Sequence, residues 1–541
     1  MLTNKLNISI DDKAIKSIII GSLYIIGLFH WCLFINYNEP SFNHLDWPLF
    51  HQLYDVIKQS IASCRIPYHA TLFASDTFES TTYATSRFLA VPWIAIPPQV
   101  FLMRFISVAE FITLQYLLFY SISFIGVYKW TKKLHLPLSS SCFLLILFNF
   151  NGAIISKAGA GHFTMTLGYM LIPWFFLIIY NFIENKDTNS FRNIIFVLKL
   201  SFFLFFCLLN ADMHIYFQMI LVGLCVFVFY PKRVLLYISG VITSAVFSLW
   251  YFLPVLLFGG YGSVTKIGIT NIPESSARYS GEHGYGFIYA DSGTSLLPYD
   301  TNSNVLINIS YLCVNVLSHL WESMTFSFNA FHEGIWEYNL YISYIGVILL
   351  IGSLMGLYFR CQPTSIIYNL ITYKYRFLVG MSIVALFSIG PFYRMFIQTL
   401  QLMIIFTPVE WVPSRFAIYP FSMVLLIASL GYDDLFKVFP ERIRNWAKWT
   451  ILLILLAVLL IHSYEWSLSK LETYTEWRGD LKGFKTVIYD DVDDGYYKKI
   501  VKIAYISSVL IVSCFGMLYM RLRYYSSDNN IFSKSSKLLK L

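Results

Sequence analysis

The chain has 541 residues, of which 57 % are hydrophobic, 18 % aromatic and 13 % charged, and its mean hydropathy is +0.59. A soluble domain carries about 25 % charged residues, so a water-soluble enzyme with a single anchor is excluded, and so apolar a chain is not disordered. The formal net charge of +8 would point to nucleic acid in a soluble protein; in a polytopic one it points to basic loops on the cytoplasmic side, and no nucleic-acid partner is expected.

A membrane-crossing helix needs roughly 20 mostly apolar residues. In chain order that rule predicts about twelve spans, at 17–36, 106–128, 139–156, 164–183, 194–211, 215–230, 234–257, 339–359, 377–392, 413–430, 450–464 and 503–520. The pairs 139–156/164–183 and 194–211/215–230 adjoin closely enough to be helical hairpins. The expected class is an all-α polytopic membrane protein, one multi-span domain over 1–541 without internal repeat or low-complexity linker. No small-residue cleavage site follows the first span, so it reads as retained. With the N-terminus inside, the inner segments gather Lys129, Lys132, Lys133, Lys232, Arg233, Arg376, Lys437, Arg442, Arg444 and Lys448, among others. The inner balance is then +14 against −7 outside, which places both termini in the cytoplasm. Most of the eight cysteines fall in spans; Cys64 and Cys313 reach the outer face and could be bridged.

Three outer segments are long, 37–105, 258–338 and 465–502, and the inner ones are short. That layout suits an outward-facing active site better than a channel or a small-molecule transporter. The first segment runs Asn43-His44-Leu45-Asp46-Trp47-Pro48, and apolar residues then recur at 49, 50, 53, 56, 57 and 61. This helical spacing predicts an amphipathic helix in the interface plane, with Pro48 in its first turn. Asp46 is either the cap of that helix or a catalytic carboxylate, and one residue can be both. In Ser156-Lys157-Ala158-Gly159-Ala160-Gly161-His162 the small residues either make a tight turn or let a ligand approach the backbone between Lys157 and His162. Asp212 and His214 crown the next outer hairpin, as surface polar groups or as ligand contacts. His332, Glu333 and Glu337 lack the His-Glu-x-x-His spacing of zinc hydrolases; with Asp46 they could hold a divalent cation, Mg or Mn, through oxygen ligands, or Glu337 could recognise sugar hydroxyls. The segment 258–338 is rich in Gly, Ser and Tyr, a lid with aromatic faces for sugar rings or a solvated loop. Its Gly-rich runs follow no strand of a βαβ unit, so they are no nucleotide fingerprint.

A span, an aspartate heading the first outer loop and a surface helix resemble the GT-C superfamily of integral-membrane glycosyltransferases, which use a sugar carried on a polyprenyl phosphate. Asp46 to Pro67 resembles large bacterial members that modify surface glycans at the outer leaflet. Gly161-His162-Phe163 with Tyr169 and Ile172-Pro173-Trp174, Glu337-Tyr338-Asn339-Leu340-Tyr341-Ile342, and Pro413-Ser414-Arg415-Phe416 are each similar to segments of that family, over roughly 15–435. The family often pairs acids in the first loop; here Trp47 follows Asp46. The resemblance implies an inverting enzyme of the bacterial plasma membrane, with a cell-surface glycan or lipid-linked acceptor. Asp46 would be the general base. Arg415, at the mouth of its span, would hold the donor phosphate unless it only snorkels to headgroups; Lys157 and His162 would join it. Glu337, Glu333, His332, Asp212 and His214 would contact sugar or acceptor.

A surface-polysaccharide polymerase and a lipid-linked glycan transporter or flippase are the alternatives. Transporters bury ionisable groups at the midplane and repeat broken helices. Lys199 is the clear charge within a span, placed by the sequence near the inner end where it can snorkel.

Overall fold

The computed structural model describes residues 12–37, 47–71, 86–90, 96–184, 190–211, 213–258, 320–321, 323–325, 339–360, 366–389, 392–393, 413–467, 487–489 and 493–538. Helix dominates, because in lipid only internally hydrogen-bonded backbone is tolerated. The first helices are α1 (Asp12–Ile35), α2 (Trp47–Ser63), α3 (Val108–Lys133), α4 (Leu138–Asn149), α5 (Gly152–Gly159), α6 (Phe163–Tyr169) and α7 (Ile172–Glu184). After them come α8 (Ser190–Asn210), α9 (Met213–Phe227), α10 (Pro231–Phe247) and α11 (Leu249–Phe258). The later ones are α12 (Ser343–Arg360), α13 (Ile366–Phe387), α14 (Ile418–Leu435), α15 (Glu441–Glu465) and α16 (Gly495–Leu538).

Each of the twelve predicted stretches overlaps one apolar helix or a broken pair of them, but only eight helices among the described residues are long and apolar enough to cross a membrane. The α10–α11 pair, bent by 76°, makes a ninth when taken as one broken span. Met213–Phe227, Ser343–Phe359 and Tyr375–Phe387 are shorter. The 15 residues of α9 rise only about 22 Å, short of a hydrocarbon core of about 30 Å. The last span starts at Gly495 rather than 503, which shortens the outer segment before it. Lys199 lies in the middle of α8 and is exposed, not at the helix end.

Burial sorts the spans into centre and rim. Leu138–Gly159 and Phe163–Glu184 are 94 % and 89 % buried, whereas Glu441–Glu465 and Gly495–Leu522 are 28 % and 17 % buried. Both central spans are broken. Between α4 and α5 the side-chain amide of Asn149 donates to the Leu145 carbonyl at 2.8 Å, and that of Asn151 to Phe148 and Leu147 at 2.7 and 3.2 Å. The Asn151 side-chain oxygen then accepts from the Ile154 N–H as N-cap of α5. The carbonyls freed by the break are therefore met by side chains, as a buried helix end requires. Between α6 and α7 the chain turns at Met170-Leu171, and Pro173 falls in the first turn of α7, where no donor is lost.

Two faces can be told apart. On one, Lys133 pairs with Glu184, Arg233 donates to the Phe182 carbonyl, Lys448 reaches Asp433 at 3.2 Å and Lys437 reaches Asp434 at 2.6 Å. On the other, α3 begins in a capping box in which Ser107 Oγ accepts from the Glu110 N–H at 3.1 Å and Glu110 Oε2 from the Ser107 N–H at 2.7 Å. On this second face Gln99 donates to Gln115 Oε1 at 3.1 Å and to Asn210 Oδ1.

The amphipathic helix of the first outer segment is present as α2, with Phe50, Leu53, Val56 and Ile57 buried on one stripe. It does not lie free in the interface plane. Phe50 and Tyr54 pack on Phe163 and Phe111 at ring distances of 6.1 and 5.2 Å, so protein rather than lipid covers its apolar face. A small antiparallel sheet sits on the same side, in the order β2 (Ser86–Arg87), β1 (His69–Thr71), β3 (Val487–Tyr489).

Candidate functional site

The turn between α5 and α6 is a helix stop of defined geometry. Gly161 has φ 82°, the His162 N–H bonds the Lys157 carbonyl at 3.0 Å and the Gly161 N–H the Ala158 carbonyl at 3.2 Å. These are the two bonds of a Schellman motif, which needs a left-handed residue at the glycine position. At Gly159 the backbone is not open to a ligand. A Cβ on Gly159 would stand 2.9 Å from both the Trp466 ring and its carbonyl oxygen; Trp466, fully buried, already fills that space.

Lys157 is 2 % exposed on α5, His162 is half-buried at the head of α6, Arg415 is 5 % exposed in the 3-10 turn Pro413–Ala417, and His214 is 7 % exposed in the first turn of α9. The short helix α6 supports three of these positions. His162 precedes it, and Tyr169 at its end donates from its hydroxyl to the Arg415 carbonyl at 3.3 Å. Ile215, next to His214, packs against Gly168, where a Cβ would meet its side chain at 2.6 Å. Tyr419, one turn beyond Arg415, donates to Gln218 Oε1 of α9 at 3.2 Å. The seven residues of α6 span about 10 Å, so the backbone positions it supports are spread along that length rather than gathered at a point.

Asp46, Asp212, His332, Glu333 and Glu337 lie outside the described residues. Flanking positions carry information nonetheless. Trp47 is fully buried, with its ring 6.1 Å from Phe163 and 6.3 Å from Tyr116, so the chain immediately after Asp46 is anchored beside the head of α6. The Tyr341 carbonyl, four residues after Glu337, accepts from the Gly152 N–H at 2.8 Å and holds that segment on α5. Among the described residues no three His, Cys, Asp or Glu side chains group as a metal site. Cys64 is an exposed free thiol; Cys313 lies outside the described residues.

Sequence reasoning did not find the His69–Arg87–Asp494 cluster on the sheet. Its members are up to 425 residues apart, and no local spacing could have joined them. The described residues thus define a helical membrane protein in which Lys157, Arg415 and His214 are buried, and His162 half-buried, around the short helix α6. No family model, curated protein or solved structure matches the chain.

Proposed function

We propose that this protein is an inverting glycosyltransferase of the GT-C type, which moves a sugar from a polyprenyl-phosphate carrier to a cell-surface glycan or lipid-linked acceptor. It would do so with twelve spans, at the outer face of a bacterial plasma membrane, both termini cytoplasmic. The observation that carries the reading is the anchoring of Trp47 against Phe163. It brings the residue after Asp46 to the helix headed by His162, whose far end is bonded to Arg415. Displacement of a lipid phosphate requires a base and cations; Lys157 and Arg415 are buried around this short helix, and Asp46 precedes the anchored Trp47 in the sequence. The acceptor oxygen attacks the anomeric carbon as its proton passes to Asp46. The carbon–oxygen bond to phosphate breaks, and Arg415, Lys157 and His162 meet the charge of the departing polyprenyl phosphate. One displacement inverts the anomeric centre. Glu337, Glu333, His332, Asp212 and His214 would contact sugar or acceptor. The gathering of basic residues on the opposite face favours the assigned sidedness.

The test is transfer of labelled sugar from a synthetic polyprenyl-phosphate donor in membranes. Asp46→Asn abolishes transfer while the protein still inserts, and Arg415→Ala weakens use of the donor more than of the acceptor. Full activity of Asp46→Asn removes the base. A second reading, a flippase for lipid-linked glycans, is favoured by the broken central spans, since transporters build midplane sites from discontinuous helices. It requires labelled lipid to change leaflet with no new glycosidic bond formed.

A further inference from the structure

On the face that carries the candidate site, strand β1 is gripped from both sides. His69 lies opposite Arg87 on β2 and Tyr489 on β3. Asp494, just before α16, accepts from Arg87 Nε at 2.7 Å and stands 3.3 Å from His69 Nε2. Arg87 also covers the rings of Phe258 and Tyr497 at 4.8 and 5.6 Å. The Tyr497 hydroxyl accepts from the Leu89 N–H at 3.1 Å and donates to the Tyr68 carbonyl at 3.2 Å. One carboxylate thus joins the first outer segment to the start of the last helix and, through Arg87, to the end of α11.

We infer that His69, Arg87 and Asp494 form an acid-released clasp that ties the first outer segment to the final span. The reason lies in the imidazole. His69 is 1 % exposed, and its Nδ1 has no hydrogen-bond partner among the described residues. In the neutral ring, Nε2–H donates to Asp494 and Nδ1 presents only a lone pair. Protonation adds a buried donor without an acceptor and a charge beside two cations. The groups acting on the ring are Asp494, which favours the charge, and Arg87 and Lys498, which oppose it; the Tyr497 ring stands 5.3 Å from the imidazole, and Tyr68 packs on Tyr497 and Lys498 behind it. Burial is the largest influence, and His69 is held below its ordinary value of 6.5. For Asp494 burial pushes upward, but Arg87, His69 and the Tyr497 N–H outweigh it and hold the carboxyl below 3.8. Both folded values are depressed, so the unfastened state binds more protons. The clasp is at full strength above pH 6.5 and weakens as the pH falls from there through the folded value of His69, with Asp494 acting only in stronger acid.

The test is hydrogen–deuterium exchange of the full-length protein in detergent or nanodiscs from about pH 7.5 to about pH 5, corrected for intrinsic exchange. Protection of 86–89 and 487–489 should fall across this range, no more steeply than about tenfold per pH unit, the limit for one proton. The amides of α4 and α7 should not change. In His69→Gln, which retains a neutral donor to Asp494, the same segments should show no slope. A flat wild type, or an equal slope in His69→Gln, overturns the clasp. Should His69→Gln lose the protection of α4 and α7 and so fail to fold, the wild type decides alone. A slope confined to the sheet segments supports the clasp, and one shared with α2 refutes it.

Discussion

Trp466 and Gly159 form the most demanding contact behind the candidate site, and their sizes can be exchanged. Trp466 is fully buried at the end of α15, against the last residue of α5, two positions from Lys157. Truncation to Ala removes a large aromatic and leaves a cavity, at a cost of about 3–5 kcal/mol. Gly159→Leu does the opposite. Its Cβ alone meets the indole and the Trp466 carbonyl at 2.9 Å, and overpacking of this kind costs about 1–3 kcal/mol. Combined, the leucine occupies space the indole has vacated, so the double variant should be more stable than the sum of the singles predicts, by about 0.5–3 kcal/mol, the range for residues in contact. The carbonyl stays in place, so recovery is partial. Reversible unfolding in mixed micelles, followed by circular dichroism, measures all four corners of the cycle. Additive effects would refute the packing of α15 on α5, and with it the account of why position 159 is glycine.

Two further outcomes follow from local geometry. Gly161→Ala puts a Cβ on a residue with φ 82° and should cost about 1–2 kcal/mol in the same unfolding assay; an unchanged midpoint would refute the helix stop. On the proposed sidedness Cys64, exposed beyond α2, should react with a membrane-impermeant maleimide added outside intact cells, whereas buried Cys142 and Cys207 should not; labelling of Cys64 only after lysis would refute that sidedness.

The parts of the fold that could be read from the chain are those set by local periodicity. The stripe at 50, 53, 56 and 57 gave α2 its buried face, and apolar runs located the helices. What covers α2 was not readable, because Phe111 and Phe163 lie 48 or more positions further along the chain. The break after Asn149 was hidden for another reason: hydropathy averages over a window and ignores whether an amide caps a carbonyl or faces lipid. Lys157, His162 and Arg415 were found by motif, yet their common support, α6, emerges only from the bond between Tyr169 and Arg415. The clasp had no sequence signal, since a histidine, an arginine and an aspartate in separate segments are individually ordinary.

The broken central spans also bear on how the protein is made. Leu138–Gly159 carries Asn149, Asn151 and Lys157 into the bilayer, and residues such as these are unfavourable to insert singly into lipid. In the finished molecule α14, which carries Tyr432 stacked 4.6 Å from Phe143, and Trp466 enclose this span. Both are synthesised more than 250 residues later. During translation the hairpin of α4 to α7 must therefore wait beside α3, or inside the insertion machinery, until its C-terminal neighbours arrive. Truncation after α11 should leave that hairpin open to quality-control proteolysis even though every segment it contains has already been made.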